Sequence, residues 1–348
     1  MNHYKAFNQV SIKSLSHVDA PHRITSAALE DRLASTFERL GMRRGVLEMV
    51  AGIKARRFWD EGVMPSDAAT LAGQVALDRA GIDANMIGAL VNTSVCRDFL
   101  EPSTACRVHH NLGLSSHALN YDIGNACLGF INGMDFIATL IELGRIDYGI
   151  VVDGESSREV TEATIERLLN PEATNHDVRS QFASLTLGSG AAAMILCRRD
   201  LAPKAPRYLG GILLAQTQHA NLCEGHPTFM KTDTKKLLAE GVKLADRVWR
   251  LAQEEMQWSA EKLNHLILHQ VSQVHTMTLG QSLGLPLHKA HITFDELGNI
   301  GPAAVPITLS KAAEEGKLKD QDRIALMAIG SGLNCQMAEI VWGEEYNA

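Results

Sequence analysis

The chain has 348 residues, 45% of them hydrophobic and 21% charged, which is the balance of a folded globular protein and excludes a disordered or fibrous one. A length well beyond the roughly 100 to 200 residues of one domain predicts two core-forming units, and a net charge of −7 without a basic block excludes the electrostatic footprint of a nucleic-acid binder. No apolar run reaches the ~20 residues that cross a bilayer and residues 1–13 lack the layout of a secretion signal, so a cytoplasmic protein is expected.

In chain order, Ser66 and Asp67 supply an N-cap and first-turn charge to a helix with apolar residues at Leu71, Val75 and Ala80 and a closing Gly81. That helix feeds a strand at 87–93. A strand, tight turn and helix follow through 121–130, the helix carrying Leu128, Ile131, Met134, Ile137 and Ile141 on one face. Further strands are predicted at 148–153, 191–197, 263–268, 291–294, 323–327 and 337–342. Short β-rich runs alternating with helical patterns mark an α/β protein with crossover connections. Between two of the strands, residues 155–183 are polar and charged enough to form a surface excursion or a partner-facing cap.

A faint repeat runs through this order. Gly188-Ser189-Gly190 precedes one apolar strand and Gly330-Ser331-Gly332 precedes another, each after a helix-then-strand unit, as though one fold had been copied. The Pro-rich stretch 202–206 is the natural joint, which predicts an N-terminal half at 1–200 and a C-terminal half at 201–348.

Six scattered cysteines (Cys96, Cys106, Cys127, Cys197, Cys223, Cys335) contain no C-x-x-C pair, so neither a disulfide scaffold nor a zinc site is predicted. Cys197 and Cys335 lie in apolar strands and read as core. Cys127 sits at a helix start, where unpaired N–H groups and the positive dipole end favour a thiolate and can stabilise an oxyanion. His269 follows an apolar run and so emerges at a strand end, where α/β sites are built; the alternative is a core histidine. Asn299 lies in Gly298-Asn299-Ile300-Gly301-Pro302, a shaped loop entering a helix, and taken alone it reads equally as a turn residue. The pairs His109-His110 and His269 with His275 lack the spacing of a metal face, and no metal or cofactor is predicted. Gly188-Ser189-Gly190 leads into a strand rather than a helix, which sets aside a dinucleotide site.

Together these segments resemble the thiolase superfamily, and within it the ketoacyl synthase III branch: N-A-C-x-G around Cys127, H-Q-x at His269, G-N-x-x-x-A-x-x-P around Asn299, and the late G-S-G with Ser331. The resemblance implies a five-layer αβαβα sandwich of two duplicated halves. It implies acylation of Cys127, His269 and Asn299 as donors to the thioester oxygen of a second substrate, and an oxyanion hole made by the backbone N–H groups of Cys127 and Ser331. The second cysteine of biosynthetic thiolases is missing, since Ala328 stands at its place. Arg56, in a loose match to a T-G-I-x-x-R stretch, is the candidate phosphate contact.

Residues 97–104 narrow the branch. Type III synthases have an apolar residue where this chain has Glu101, and a carboxylate there resembles the OleA type, which joins two fatty acyl-CoA molecules head to head for long-chain olefin biosynthesis. A condensation that loses no carbon dioxide must remove a weakly acidic proton, and a desolvated carboxylate suits that task. The resemblance implies a homodimer in which Glu101 reaches the partner subunit's site, fatty acyl-CoA as substrate, a 2-alkyl-3-keto acid or its thioester as product, and contact with other olefin-pathway enzymes. A decarboxylative 3-oxoacyl-carrier-protein synthase III is the alternative.

Overall fold

In the computed structural model, which describes residues 4–346, the chain forms strands β1 (Val10–Asp19), β2 (His22–Thr25), β3 (Ala55–Phe58), β4 (Ile87–Asn92), β5 (Leu119–Asp122), β6 (Tyr148–Glu155), β7 (Gly190–Arg198), β8 (Arg207–Ala215), β9 (Cys223–His226), β10 (Phe229–Thr232), β11 (His265–Leu268), β12 (Arg323–Gly330) and β13 (Asn334–Val341). The first residues of the 1–13 stretch, Met1 to His3, lie outside the described part. The helices are α1 (Ser26–Arg32), α2 (Ala34–Arg39), α3 (Val46–Ala51), α4 (Pro65–Ala80), α5 (Thr104–Asn111), α6 (Gly129–Glu142), α7 (Arg158–Leu169), α8 (Asn175–Gln181), α9 (Thr234–Glu255), α10 (Gln273–Leu283), α11 (Phe294–Leu297) and α12 (Ala304–Glu314).

Strand pairing shows the same pattern twice. The main sheet runs β11-β12-β13-β8-β1-β7-β6-β4-β5. Outward from β1, the pairings with β7 and then β6 are antiparallel, and those with β4 and β5 are parallel. Outward from β8, the pairings with β13 and then β12 are antiparallel and that with β11 is parallel. The two series meet at one register pair, Ser11 with Arg207.

Both faces of each series are covered, which is why the strands read as apolar runs rather than alternating ones. Ala192, Met194 and Leu196 of β7 join a core shared with Ile131, Met134 and Ile137 of α6 and Val305, Ile307 and Leu309 of α12. Their neighbours Ala191, Ala193 and Ile195 face a second core with the alanine-rich side of α4. In the other series Ile324 and Leu326 of β12 face the shared core, whereas Ala325 and Met327 face Leu244 and Val248 of α9 and Leu279 of α10. The order is therefore helix, sheet, helix, sheet, helix, with α6 and α12 in the middle: the five-layer αβαβα sandwich expected. Cys197 and Cys335 are buried in it, as read from the sequence.

Three expectations need correction. The stretch 291–294 is no strand; one parallel bridge joins Leu266 to Ala290, and then the Gln270 side chain takes over the backbone partners, donating to His291 O (2.7 Å) and accepting from the N–H groups of Thr293 (2.8 Å) and Phe294 (3.0 Å). Helix α4 starts at Pro65 rather than at Ser66, because Asp67 reaches back to the Met64 N–H (3.1 Å) and proline suits the first helical position. Residues 155–183, expected as a surface excursion or a partner-facing cap, fold onto their own chain. Ile165, Leu168 and Val178 of α7 and α8 share a core with Leu29, Leu33, Phe37 and Leu47 of the segment 26–51, which makes a second, helical cap.

Candidate active site

Strand β5 ends at Asp122, and the Ile123 N–H still donates to Asn92 O (2.9 Å) before the chain turns sharply. Ala126 takes a φ of 44°, and helix α6 begins only at Gly129. A Cβ on Gly129 would lie 2.7 Å from Thr93 O, so glycine is what lets α6 press against β4. Cys127 therefore precedes the helix by two residues. Burial pushes its thiol up to about 12, with Cys223 and Glu155 nearby adding to the effect. The expected thiolate is not formed: desolvation outweighs the helix end.

His269 continues β11, its N–H donating to Met327 O (2.7 Å). Its ring is buried against the Gly301 backbone, and burial together with neighbouring His275 lowers its pKa to about 3, a shift that the Gly301 contact partly opposes. It is a neutral imidazole able to give or take one proton. Asn299 is pinned through its backbone to Thr186 O and the Gly188 N–H (both 2.9 Å), and its Oδ1 accepts from the Gly301 N–H (3.0 Å). That bond turns the amide so that Nδ2 is the group left to donate.

Gly301 is the meeting point. Its backbone lies against the His269 ring and bonds Asn299, and a Cβ there would sit 3.6 Å from the Glu155 carboxyl carbon, whose charge is felt at Cys127. From the other side, a Cβ on Gly330 would be 3.1 Å from the Cys127 N, which brings the Ser331 turn to Cys127. Cys127, His269, Asn299 and Ser331 thus converge from four separate parts of the chain.

Arg56 does not join them. Its buried guanidinium donates to Ser26 Oγ (3.1 Å) and Leu185 O (2.9 Å), and its stem packs beneath Gly298 and Gly188. It supports the Asn299 loop from inside and is turned away from any phosphate.

Glu101 also stands apart within one chain. It is exposed, and among the described residues no hydrogen bond or ion pair holds its carboxylate, so the expected desolvation is absent in the single chain. Its loop is nonetheless firmly rooted. The N–H groups of Val95 and Cys96 donate to Glu155 (2.6 and 3.4 Å), and Asp98 accepts from the Ser66 N–H (2.9 Å) and hydroxyl (2.5 Å) and pairs with Arg107 (3.0 Å). Between these roots and α5 the apolar tip stands in solvent, Phe99 48% and Leu100 97% exposed.

Sequence reading missed Glu155, whose carboxyl burial raises to about 7, and the neighbours Cys223 and His275. Asp153 and Glu155 ending an apolar strand was the available signal, since ligand chemistry gathers at strand ends. The neutral thiol has a direct consequence. Alkylation of Cys127 by iodoacetamide, followed peptide by peptide, is expected to rise about tenfold per pH unit between about pH 6 and pH 9, because the thiolate fraction grows that fast below the pKa. A plateau in that range would mean a preformed thiolate–imidazolium pair instead.

Residues 253–342 match the family model described as 3-oxoacyl-[acyl-carrier-protein] synthase III C terminal. The acyl-CoA:acyl-CoA alkyltransferase of Xanthomonas campestris pv. campestris is 52% identical over 336 residues, covering 97% of this chain and 99% of its own. That of Shewanella oneidensis is 38% identical over 97% of this chain and 99% of its own. The chain belongs to the OleA family of acyl-CoA:acyl-CoA alkyltransferases. Crystal structures from the family superpose closely: a variant of Xanthomonas campestris OleA aligns with a TM-score of 0.96 at 51% identity, over 97% of this chain and all of its own. Another variant, holding lauric acid and lauroyl-CoA, aligns with a TM-score of 0.95 at 51% identity, again over 97% of this chain and 100% of its own. The family's solved variants replace one glutamate, one cysteine and one histidine, and the intervals between those positions equal those separating Glu101, Cys127 and His269 here.

Proposed function

We propose that this condensing enzyme joins two long-chain fatty acyl-CoA molecules without loss of carbon dioxide, the first step of long-chain olefin formation. Cys127 Sγ attacks the first thioester while neutral His269 takes the thiol proton and returns it to the departing CoA sulfur. The N–H groups of Cys127 and Ser331 hold the oxyanion. The acyl chain is then on Cys127 and CoA has left.

A second acyl-CoA places its thioester oxygen against His269 and the Asn299 amide. Glu101 from the partner subunit of a homodimer removes the α-proton, the carbanion attacks the acyl carbon, and the proton passes to the departing Cys127 sulfur. The product is a 2-alkyl-3-ketoacyl thioester or, after hydrolysis, the free keto acid. Such an acid is prone to decarboxylate, which gives contact with the enzymes that consume it a chemical purpose.

The observation that carries this reading is a neutral imidazole beside an oriented amide, combined with a carboxylate held on a rooted, projecting loop. The lauroyl-CoA seen with a relative supports the substrate class. Residues 1–200 and 201–348 are taken as the two halves. No helix among the described residues is long and apolar enough to cross a membrane.

Purified protein given lauroyl-CoA alone is expected to release CoA and form a 3-keto acid or the ketone derived from it, seen by thiol titration and mass spectrometry. A requirement for a malonyl thioester would establish the decarboxylative alternative instead.

A further inference from the structure

A line of polar side chains runs from the nucleophile turn across the middle layer. Asn125, two residues before Cys127, donates through Nδ2 to Asn132 Oδ1 on α6 (2.6 Å) and accepts at Oδ1 from Asn334 Nδ2 on β13 (2.9 Å). Asn132 Nδ2 donates to Gln336 Oε1 (2.5 Å), and Gln336 Nε2 donates to Asp135 Oδ2 (2.5 Å). Asp135 Oδ1 accepts from the Tyr208 hydroxyl (2.6 Å). Gln336 and Tyr208 are wholly buried, and Asn125, Asn132, Asp135 and Asn334 are half-buried.

The line has a direction, and one residue sets it. The two ends of an amide have nearly the same shape, so partners alone decide which end faces which way. Burial raises the Asp135 carboxyl to about 6 against the pull of its Tyr208 and Gln336 hydrogen bonds, and above that pH it is ionised and can only accept. Gln336 must then present Nε2 to it and Oε1 to Asn132; Asn132 must present Nδ2 to Gln336 and Oδ1 to Asn125; Asn125 must present Oδ1 to Asn334. Reversal at any one amide sets two N–H groups or two oxygens against each other.

At its far end the line joins the two turns of the proposed oxyanion hole. Asn334 pairs in register with Gly330, and it closes the Gly330–Leu333 turn that carries Ser331. The bond from Asn334 to Asn125 is therefore a strut between the Ser331 turn and the Cys127 turn. We propose that Asp135, Gln336 and Asn132 are positioning residues for acyl transfer, fixing the separation of the Cys127 and Ser331 N–H groups through the direction of this amide line. The assignment rests on the acyl-transfer reading given above.

The test is a cycle of Asp135→Asn, Gln336→Glu and the double variant, read as the single-turnover release of CoA from lauroyl-CoA. Asp135→Asn can still accept from Gln336 only by turning its Nδ2 onto the Tyr208 hydroxyl, which leaves that buried O–H without its acceptor, and Gln336→Glu sets two carboxyl groups together, which repel once the proton they share is lost. The double variant moves the carboxylate one place along. The new amide at position 135 accepts from Tyr208 and donates to the new carboxylate at position 336, which also accepts from Asn132, so every bond and the direction survive. Each single variant is expected to slow CoA release by about 10- to 100-fold, and the double variant to return to within about threefold of wild type. Iodoacetamide labelling of Cys127, which needs no oxyanion hole, should be unchanged in all folded variants. Single variants at the wild-type rate, or a double variant no faster than the singles, overturn the proposal; if one single variant fails to fold, the double is judged against the other and wild type. A wild type that releases no CoA overturns the function with it, whereas an active wild type with a flat cycle overturns the positioning alone.

Discussion

Cys127→Ala is expected to abolish CoA release from a long-chain acyl-CoA, with a loss on the order of 10⁴-fold or more in single turnover. The reason is the identity of the attacking atom. The other five thiols have different surroundings: Cys197 and Cys335 are buried in strands, Cys223 hydrogen-bonds Thr232 (3.4 Å), Cys96 donates to Ser156 O (3.2 Å) and Cys106 is exposed. Binding should survive, because alanine removes one atom from a turn whose shape is set by Ala126, Gly129 and Asn125. Calorimetry with lauroyl-CoA is therefore expected to show binding without turnover. Residual release within about tenfold of wild type would mean that the nucleophile lies elsewhere.

Glu101→Ala is expected to divide the reaction. Acylation of Cys127 should stay within about threefold of wild type while formation of the carbon-carbon bond falls by roughly 10² to 10⁴, the usual contribution of a positioned base. Rapid quench with labelled acyl-CoA measures the two steps separately. Loss of both together would remove Glu101 from the role of base. Mixing supplies a sharper check: in a dimer built from one Cys127→Ala chain and one Glu101→Ala chain, one site combines the intact cysteine of one subunit with the intact glutamate of the other. Co-expression is expected to restore condensation that neither parent shows.

Much of this is legible in the residues. The strands covered on both faces, such as β7, stand out as apolar runs, and the N-A-C, H-Q and G-N segments lie at the strand ends and turns where the structure brings them together. Other parts are hidden for physical reasons. Strand β1 escapes notice because its outer positions are Ser14 and Ser16, which read as polar until their hydroxyls are seen to donate to the carbonyls of Ala76 and Ala72 (2.7 Å each). The 291–294 stretch has strand composition, but its backbone partners come from the Gln270 side chain, a substitution that no periodicity reveals. Arg56 reads as a phosphate ligand because an arginine's sequence neighbours do not say whether it faces inward. The pKa of Cys127 is misjudged for a related reason: a helix end is visible in sequence, whereas the burial that outweighs it, and the charges of Cys223 and Glu155 that add to it, come from distant segments.

The rooted loop that ends in Phe99, Leu100 and Glu101 has a bearing on when the chemistry can begin. Its anchors on Glu155 and Asp98 belong to the same chain, so the projection is shaped before any second subunit arrives. On the proposed mechanism a solitary chain can load its cysteine yet lacks the Glu101 of a second subunit, and it waits as the thioester. Pairing then does two things at once, covering apolar side chains that water solvates poorly and delivering the missing carboxylate. Newly made protein would thus be timed by its own concentration, joining acyl chains only after enough subunits have accumulated to meet.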